Sequence, residues 1–341
     1  MPDTYTSQFS GEEIDSALRA AQMISGASTP AELRKKLEIR GDTIPVSATD
    51  PTPVSEALTA SGGGVNPNLL DNWFFGNLVN QRGQTEYTGN ATYTIDRWWT
   101  QYDTTLSIVD GGIKIGGKWD VQQYFETTLP NATYTLSLLY KDRTGSDPLR
   151  LLAGNRTDGD IAQTESKDAS GILSITFSTA KSNRFNFGFA GSADNSAIII
   201  AIKLELGSTQ TLAHKENGVW VLNEVPDYGE QLRRCQRYFW RFCPAEYVGV
   251  ANAFGISENA ARAMIYLPEQ MRTSPALSFN TNTGLFLTGS SGDIYNASLN
   301  KVWVSPNTIC VEFGKSGAFA PNAAYIVRGN GSSAIDISAD L

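Results

Sequence analysis

A single histidine, His214, and three cysteines, Cys235, Cys243 and Cys310, stand in 341 residues. So few ligands leave a zinc cluster without its donors, and an odd, scattered set of thiols does not make a disulfide framework. Buried reduced thiols are expected instead, with no metal and no cofactor. Basic residues are outnumbered, 27 Lys and Arg against 35 Asp and Glu, and the net charge of -8 has the wrong sign for a chain living on nucleic acid or an anionic membrane. The most apolar run, Ala197 to Ile202, is closed by Lys203 and Glu205 and is far shorter than a bilayer requires, so no membrane insertion is expected. The opening MPDTYTSQFSG has neither a basic start nor an apolar stretch, so export by the general pathway is not expected either. The sequons at Asn90 and Asn131 then read as ordinary turn residues.

Helical periodicity is confined to the first 45 residues. Ser10 and Glu13 form a capping box ahead of EEIDSALRAAQMI, where Ile14, Leu18 and Ala21 share a face. Thr29 as N-cap and Pro30 at the first helical position start a second short helix, STPAELRKKLEI. Each helix carries one apolar stripe that it cannot bury alone. Residues 46–67 are rich in Pro, Ser, Thr and Gly and read as a flexible linker.

Beyond the linker the period becomes two. Tyr134, Leu136, Leu138 and Tyr140 alternate with Thr135 and Ser137, and Phe185, Phe187 and Phe189 alternate with Asn186 and Gly188. The longest run places Ile198, Ile200, Ile202, Leu204 and Leu206 on one face. Short alternating strands joined by Gly, Asn, Asp and Pro predict a jelly-roll β-sandwich over residues 68–207. Residues 208–228 show no period and read as a second linker. Strands at Tyr247 to Ala251, Arg262 to Leu267, Leu277 to Asn280, Val302 to Val304, Thr308 to Phe313 and Tyr325 to Arg328 predict a second β-sandwich over 229–341. The fold class is mainly β with a short N-terminal helical segment.

Several stretches come near to a chemical motif. GIKIGGKW approaches a phosphate-binding loop, but Trp119 stands where Mg²⁺ needs Ser or Thr, so a hairpin at Asp110-Gly111 is the better reading. His214 lies in a polar stretch with no strained nucleophile motif beside it. Asn155, Asp158 and Asp160 offer an incomplete Ca²⁺ loop and read as a solvated turn. Paired carboxylates of a glycosidase need only two residues, and the chain has many. The tryptophans are the strongest binding signal. Trp98, Trp99 and Trp119 fall close together with Tyr87, Tyr93 and Tyr102, and flat aromatic faces suit the apolar faces of sugar rings. Neighbouring Trp98 and Trp99 on a strand point to opposite sides, and Trp99 is expected outward. Trp99, Tyr102 and Trp119 are therefore the candidate ligand-binding residues, with no catalytic residue assigned.

QLRRCQRYFWRF, residues 231–242, packs four arginines and four aromatics into twelve positions. Arginines at a spacing of four with interleaved aromatics suit either a nucleic-acid grip or a fold interior.

NLLDNWFFGNLVNQRGQTEYTG, then YTIDRWW, then IKLELGSTQT leading into YGEQLRRCQRYFW, resemble in order the tail-fibre-like proteins of bacteriophages and prophages. Asn68, Leu69, Leu70, Asn80, Gln81, Arg82, Gly83, Asp96, Arg97, Trp98, Lys203 to Gly207 and Cys235 to Tyr238 carry the resemblance, over residues 68–341. It implies a carbohydrate-binding-module-like jelly roll followed by a β tip domain. It also implies a homotrimer on a virion, assembled in the host cytoplasm. The N-terminal segment would attach to a phage tail or baseplate protein, and the β part would adhere to a host cell-surface glycan. No enzyme is required, although a polysaccharide depolymerase and a purely structural collar or baseplate fibre fit the same architecture. In an acidic chain of this kind QLRRCQRYFWRF is expected to be a short helix turning into a strand, its arginines covering aromatics or pairing with acids, and no nucleic acid is expected as partner.

Overall fold

The period-two stretches are strands in the computed structural model of the chain, which describes residues 66–155, 159–179, 185–279, 285–331 and 335–340. The two expected N-terminal helices, and the linker up to residue 65, lie outside these residues. Asn66–Leu341 forms one compact unit.

The first sandwich is built from β1 (Glu86–Gly89), β2 (Thr92–Tyr93), β3 (Trp99–Gln101), β4 (Thr104–Val109), β5 (Gly112–Gly117), β6 (Trp119–Tyr124), β7 (Thr133–Thr144), β8 (Leu149–Asn155), β9 (Gly159–Ser166), β10 (Gly171–Ser178), β11 (Phe185–Gly191) and β12 (Ser196–Leu206). One sheet runs β1-β4-β5-β12-β7-β10 and the other β2-β3-β6-β11-β8-β9, so the chain passes back and forth between two layers as a jelly roll does. Phe187 and Phe189 of β11, Leu151 of β8 and Val121 of β6 meet Leu136, Leu138, Ile113 and Ile115 of the facing sheet. Burying each such side chain contributes roughly 1.5–3 kcal/mol before ordering costs. Trp98 sits at the centre with its ring centroid 5.3 Å from Phe75 and 5.9 Å from Phe189.

GIKIGGKW is a hairpin strand, as its turn chemistry predicts: Val109 pairs with Gly112 around Gly111, whose φ is 75°. The long apolar run differs from its expected phase. A register shift between Ile199 and Ala201 puts Ile199 and Ala201 in the core, half-buries Ile198 and Ile200, and returns Ile202 and Leu204 inward. A strict alternation counted from sequence misses the bulge, because one extra residue flips every later side chain. The 208–228 stretch, aperiodic in sequence, carries a hairpin of β13 (Ala213–Glu216) and β14 (Val219–Leu222). Its turn is Asn217-Gly218 with φ of 51° and 83°, the positive pair that a tight hairpin requires. Leu212, Trp220 and Leu222 pack against the first core.

The second β part begins with α1 (Tyr228–Gln236), N-capped by Asp227, whose carboxylate accepts from the Glu230 amide at 2.8 Å. Then follow β15 (Phe239–Phe242), β16 (Gly249–Ser257), β17 (Ala260–Tyr266), β18 (Ala276–Phe279), β19 (Leu285–Gly289), β20 (Gly292–Ile294), β21 (Ser298–Val304), β22 (Thr308–Gly314), β23 (Ala324–Gly329) and β24 (Ile335–Ser338). They form a small sheet β15-β24-β18 and a large one β20-β19-β23-β16-β17-β22-β21. Phe242, Ile335 and Ile337 of the first meet Ala263, Ile309, Val311 and Phe313 of the second in a separate core.

QLRRCQRYFWRF is the helix-to-strand segment expected of it, and each of its four arginines pairs with a carboxylate. Arg233 reaches Glu269 at 2.7 Å, Arg234 reaches Asp71 at 2.6 Å, Arg237 reaches Glu126 at 3.1 Å and Arg241 reaches Asp336 at 2.6 Å. Two of these partners, Asp71 and Glu126, belong to the first sandwich. Asp71 also binds buried Arg97 at 2.9 Å, and the Arg97 guanidinium lies 3.4 Å above the Tyr238 ring. Burial, together with the neighbouring carboxylates and against the Arg97 charge, pushes the Tyr238 phenol up to about 12. On the other side of the seam Gln81 donates to the Phe239 carbonyl at 2.7 Å, and Arg82 reaches Asp340 at 2.6 Å while lying over the Phe239 ring. The residues carrying the tail-fibre resemblance are therefore largely architectural. Asn68 ties the first segment to Ile202 and Leu204, while Gln81, Arg82 and Arg97 reach across to the second β part and Asp96 holds Gln81 and Arg82 in place.

Candidate functional site

Strand register decides which side chains lie on the face of the second jelly-roll sheet that is turned away from the core. Tyr93 pairs with Trp99 and Trp99 with Gln122; Gln122 pairs in turn with Gly188, then Leu152, then Gln163. This row lies on the side of the sheet turned away from the core residues Thr100, Val121, Phe189 and Leu151; on it Tyr93 and Trp99 are half-buried and Gln163 exposed, while Gln122, Gly188 and Leu152 are buried. The next outward row on one side is Gln101, Asp120, Ala190, Arg150 and Glu165. On the other side Tyr124 pairs with Asn186.

Aromatic and polar groups are interleaved across these rows. The Trp99 and Tyr124 rings lie 5.7 Å apart. Beside them Gln122 donates to Asp120 at 2.7 Å, and Asn186 donates to the Gln122 carbonyl oxygen at 2.7 Å. The chain Asn186→Gln122→Asp120 leaves the Asn186 side-chain oxygen without a partner among the described residues. Gly188 lies in the centre of the row, and a Cβ there would come within 2.0 Å of the Val121 carbonyl oxygen. The face therefore stays low between Gln122 and Leu152.

The three sequence candidates are not brought together. Trp99 is half-buried on the outward row and Trp98 behind it is fully buried, which is the expected division of the pair. Tyr102 is in the turn after β3, at φ 65°, with the Lys118 ammonium 4.2 Å from its ring centre and 39% of its surface exposed. Trp119 differs from the expectation of a ligand face: it is 1% exposed, packs on Phe189 at 6.1 Å, and faces the core because it holds the same strand phase as Val121. Sequence reasoning missed Asp120, Gln122, Tyr124 and Asn186. The signal was present in WDVQQY, where the residues alternating with Trp119 and Val121 are Asp120, Gln122 and Tyr124.

The remaining chemical candidates resolve simply. His214 Nδ1 meets the Asn223 side-chain oxygen at 2.5 Å, an amide rather than a member of a triad. Cys235 and Cys310 are buried and Cys243 is exposed. Among the described residues no group of three or more His, Cys, Asp or Glu is placed to hold a metal ion, and no helix is long and apolar enough to cross a membrane. The side chains of Asn155, Asp158 and Asp160 lie outside the described residues.

No family model and no curated protein matches the chain. Among solved structures, one described as "CBM4 structure and function" is 18% identical over 33% of this chain and 95% of its own, with a TM-score of 0.27. The N-terminal cellulose-binding domain of β-1,4-glucanase C from Cellulomonas fimi is 16% identical over 33% of this chain and 90% of its own, with a TM-score of 0.26. The CBM22-1–CBM22-2 tandem domain of Xyn10C from Paenibacillus barcinonensis is 10% identical over 80% of this chain and 98% of its own, with a TM-score of 0.31. At these identities and TM-scores the matches carry no argument about what this chain binds.

Proposed function

We propose that this chain is a tail-fibre or receptor-binding component of a phage or tail-like particle that adheres to glycans on the host surface through the outer face of the second jelly-roll sheet. The observation that carries the glycan reading is the half-buried Trp99 ring, backed by the buried Tyr124 ring, beside half-buried Asp120 and Asn186, which buried Gln122 links. A sugar ring presents apolar C–H faces and a rim of hydroxyls, so a site for it needs flat aromatic surface next to fixed donors and acceptors. The virion assignment rests on the ordered sequence resemblance. In this reading the chain is a homotrimer and the N-terminal segment joins a tail or baseplate protein. Several weak sites on one particle then combine through effective concentration. Neither catalysis, nucleic acid nor membrane insertion takes part.

Electrophoresis of the purified chain through gels containing host surface polysaccharide tests the reading, with an assay for new reducing ends run in parallel. Retention without release of reducing ends is expected. Release would favour a depolymerase acting through paired carboxylates, and absence of both retention and host-cell binding would favour a purely structural fibre. Antibody against residues 229–341 should label the tail region of particles in electron micrographs, and unlabelled particles would remove the virion part.

A further inference from the structure

The large sheet of the second β part has two apolar faces, and only one of them is covered by the described residues. On β16 and β17 the inward phase is Ala253, Ala261, Ala263 and Ile265, all in the core. The outward phase is Phe254, Ile256, Met264 and Tyr266, all exposed, Phe254 at 60% and Tyr266 at 73%. Register continues this face across the neighbouring strands. Ile326 pairs with Asn252 on one side, while Met264 pairs with Cys310 and Cys310 with Trp303 on the other. Strands apolar in both phases are the pattern of a sheet covered on both sides.

Size and charge identify what would cover it. At whole-residue areas of roughly 150–250 Å², the exposed fractions of Phe254, Ile256, Met264, Tyr266, Trp303 and Ile326 leave on the order of 600 Å² of largely apolar surface. That is at the upper end for a free monomer, and close to the roughly 800 Å² per partner of a stable protein interface. Arg262 on the face is matched there by Glu312 at 2.9 Å, which lowers the repulsion an identical face would meet, and Arg328 on the same phase of β23 as Ile326 adds one half-buried cation. An open groove of about 570 Å³, lined by Phe254, Thr288, Ala324 and Ile326, gives the surface the relief to interlock with side chains from across an interface.

We propose that further copies of this chain cover the outer face of the β23-β16-β17-β22-β21 portion of this sheet, with Phe254, Met264, Tyr266 and Trp303 at the centre of the contact. The inference rests on the multi-copy part of the proposed function and adds the surface that makes it. Its test is thiol protection in the full chain. Met264→Cys in a Cys243→Ser background is treated with a maleimide, and sedimentation counts the chains in the species labelled. An assembly of two or more chains in which position 264 reacts at least about tenfold slower than in urea is the expected result. Reaction as fast as in urea overturns the proposal whatever the mass. Protection in a species of single-chain mass also overturns it, and would place this chain's own first 65 residues on the face. Polysaccharide retention in the gel assay is read separately, so failure at this face is distinguishable from failure of the glycan site.

Discussion

Replacing Trp99 and Trp119 by alanine, one at a time, separates a ligand surface from a core by two measurements on the same proteins. Trp119 is closed in by Phe189 and by Gly191, where an added Cβ would come within 2.4 Å of the indole. Trp119→Ala removes a whole buried indole from a packed site and should cost about 3–5 kcal/mol. At about 2–4 °C per kcal/mol for a unit of this size, the melting temperature should fall by roughly 6–20 °C. Trp99 is only half-buried, and its ring packs on Tyr124 at 5.7 Å, a contact worth about 0.5–1.5 kcal/mol. Trp99→Ala should therefore melt only a few degrees lower. Retention by host polysaccharide should weaken by about tenfold, the equivalent of roughly 1.4 kcal/mol of lost contact. Differential scanning fluorimetry and affinity electrophoresis read the two quantities. If Trp99→Ala is retained like the parent, or melts as low as Trp119→Ala, the outer sheet face is not the ligand surface.

Buried Asp96 should make stability depend on pH. Burial, opposed by Arg82 and by the Gln81 hydrogen bonds, raises its carboxyl to about 6, so the native state holds a proton that the unfolded chain, near 3.8, has released. The raised value makes stability fall as pH rises from about 4 to 6, by at most about 3 kcal/mol, and urea melts should lose that slope in Asp96→Asn. Arg97→Met leaves Asp71 with Arg234 alone and uncovers Tyr238, and should destabilise by about 3–5 kcal/mol in the same melts. An unchanged midpoint would mean the seam does not hold the two β parts together. Gly188→Ala forces a Cβ to within 2.0 Å of the Val121 carbonyl oxygen and should lower stability by about 1–3 kcal/mol, where an open site would give a neutral variant. The full chain should not retain DNA or RNA near physiological salt, and salt-sensitive retention in a filter assay would show arginines free to meet phosphate.

What sequence by itself determined is local. Alternation at Tyr134–Tyr140 and Phe185–Phe189 and the Asp110-Gly111 turn depend on neighbours within a few residues. Strand and turn at those places are accordingly the ones expected. The division of Trp98 from Trp99 was legible for the same reason, because adjacent strand residues must face opposite ways. The Asn217-Gly218 hairpin was also legible in principle, but its four-residue strands are too short to show a period. Tertiary structure alone decided the rest. Whether Trp119 or Asp120 faces the core depends on which phase of β6 meets β11 and the opposite sheet, and Trp119, Val121 and Phe189 won that side by burying more apolar surface. The bulge at Ile199/Ala201 is set by pairing with β7, which no count along β12 can anticipate. The arginines of QLRRCQRYFWRF carried a charge pattern open to two readings, and only folding brought Asp71 and Glu126, more than a hundred residues earlier, within 3.1 Å of Arg234 and Arg237. Coulombic pairing acts over distance in space rather than along the chain, so the partners that turned a basic cluster into a seam between two β parts became visible only in the fold.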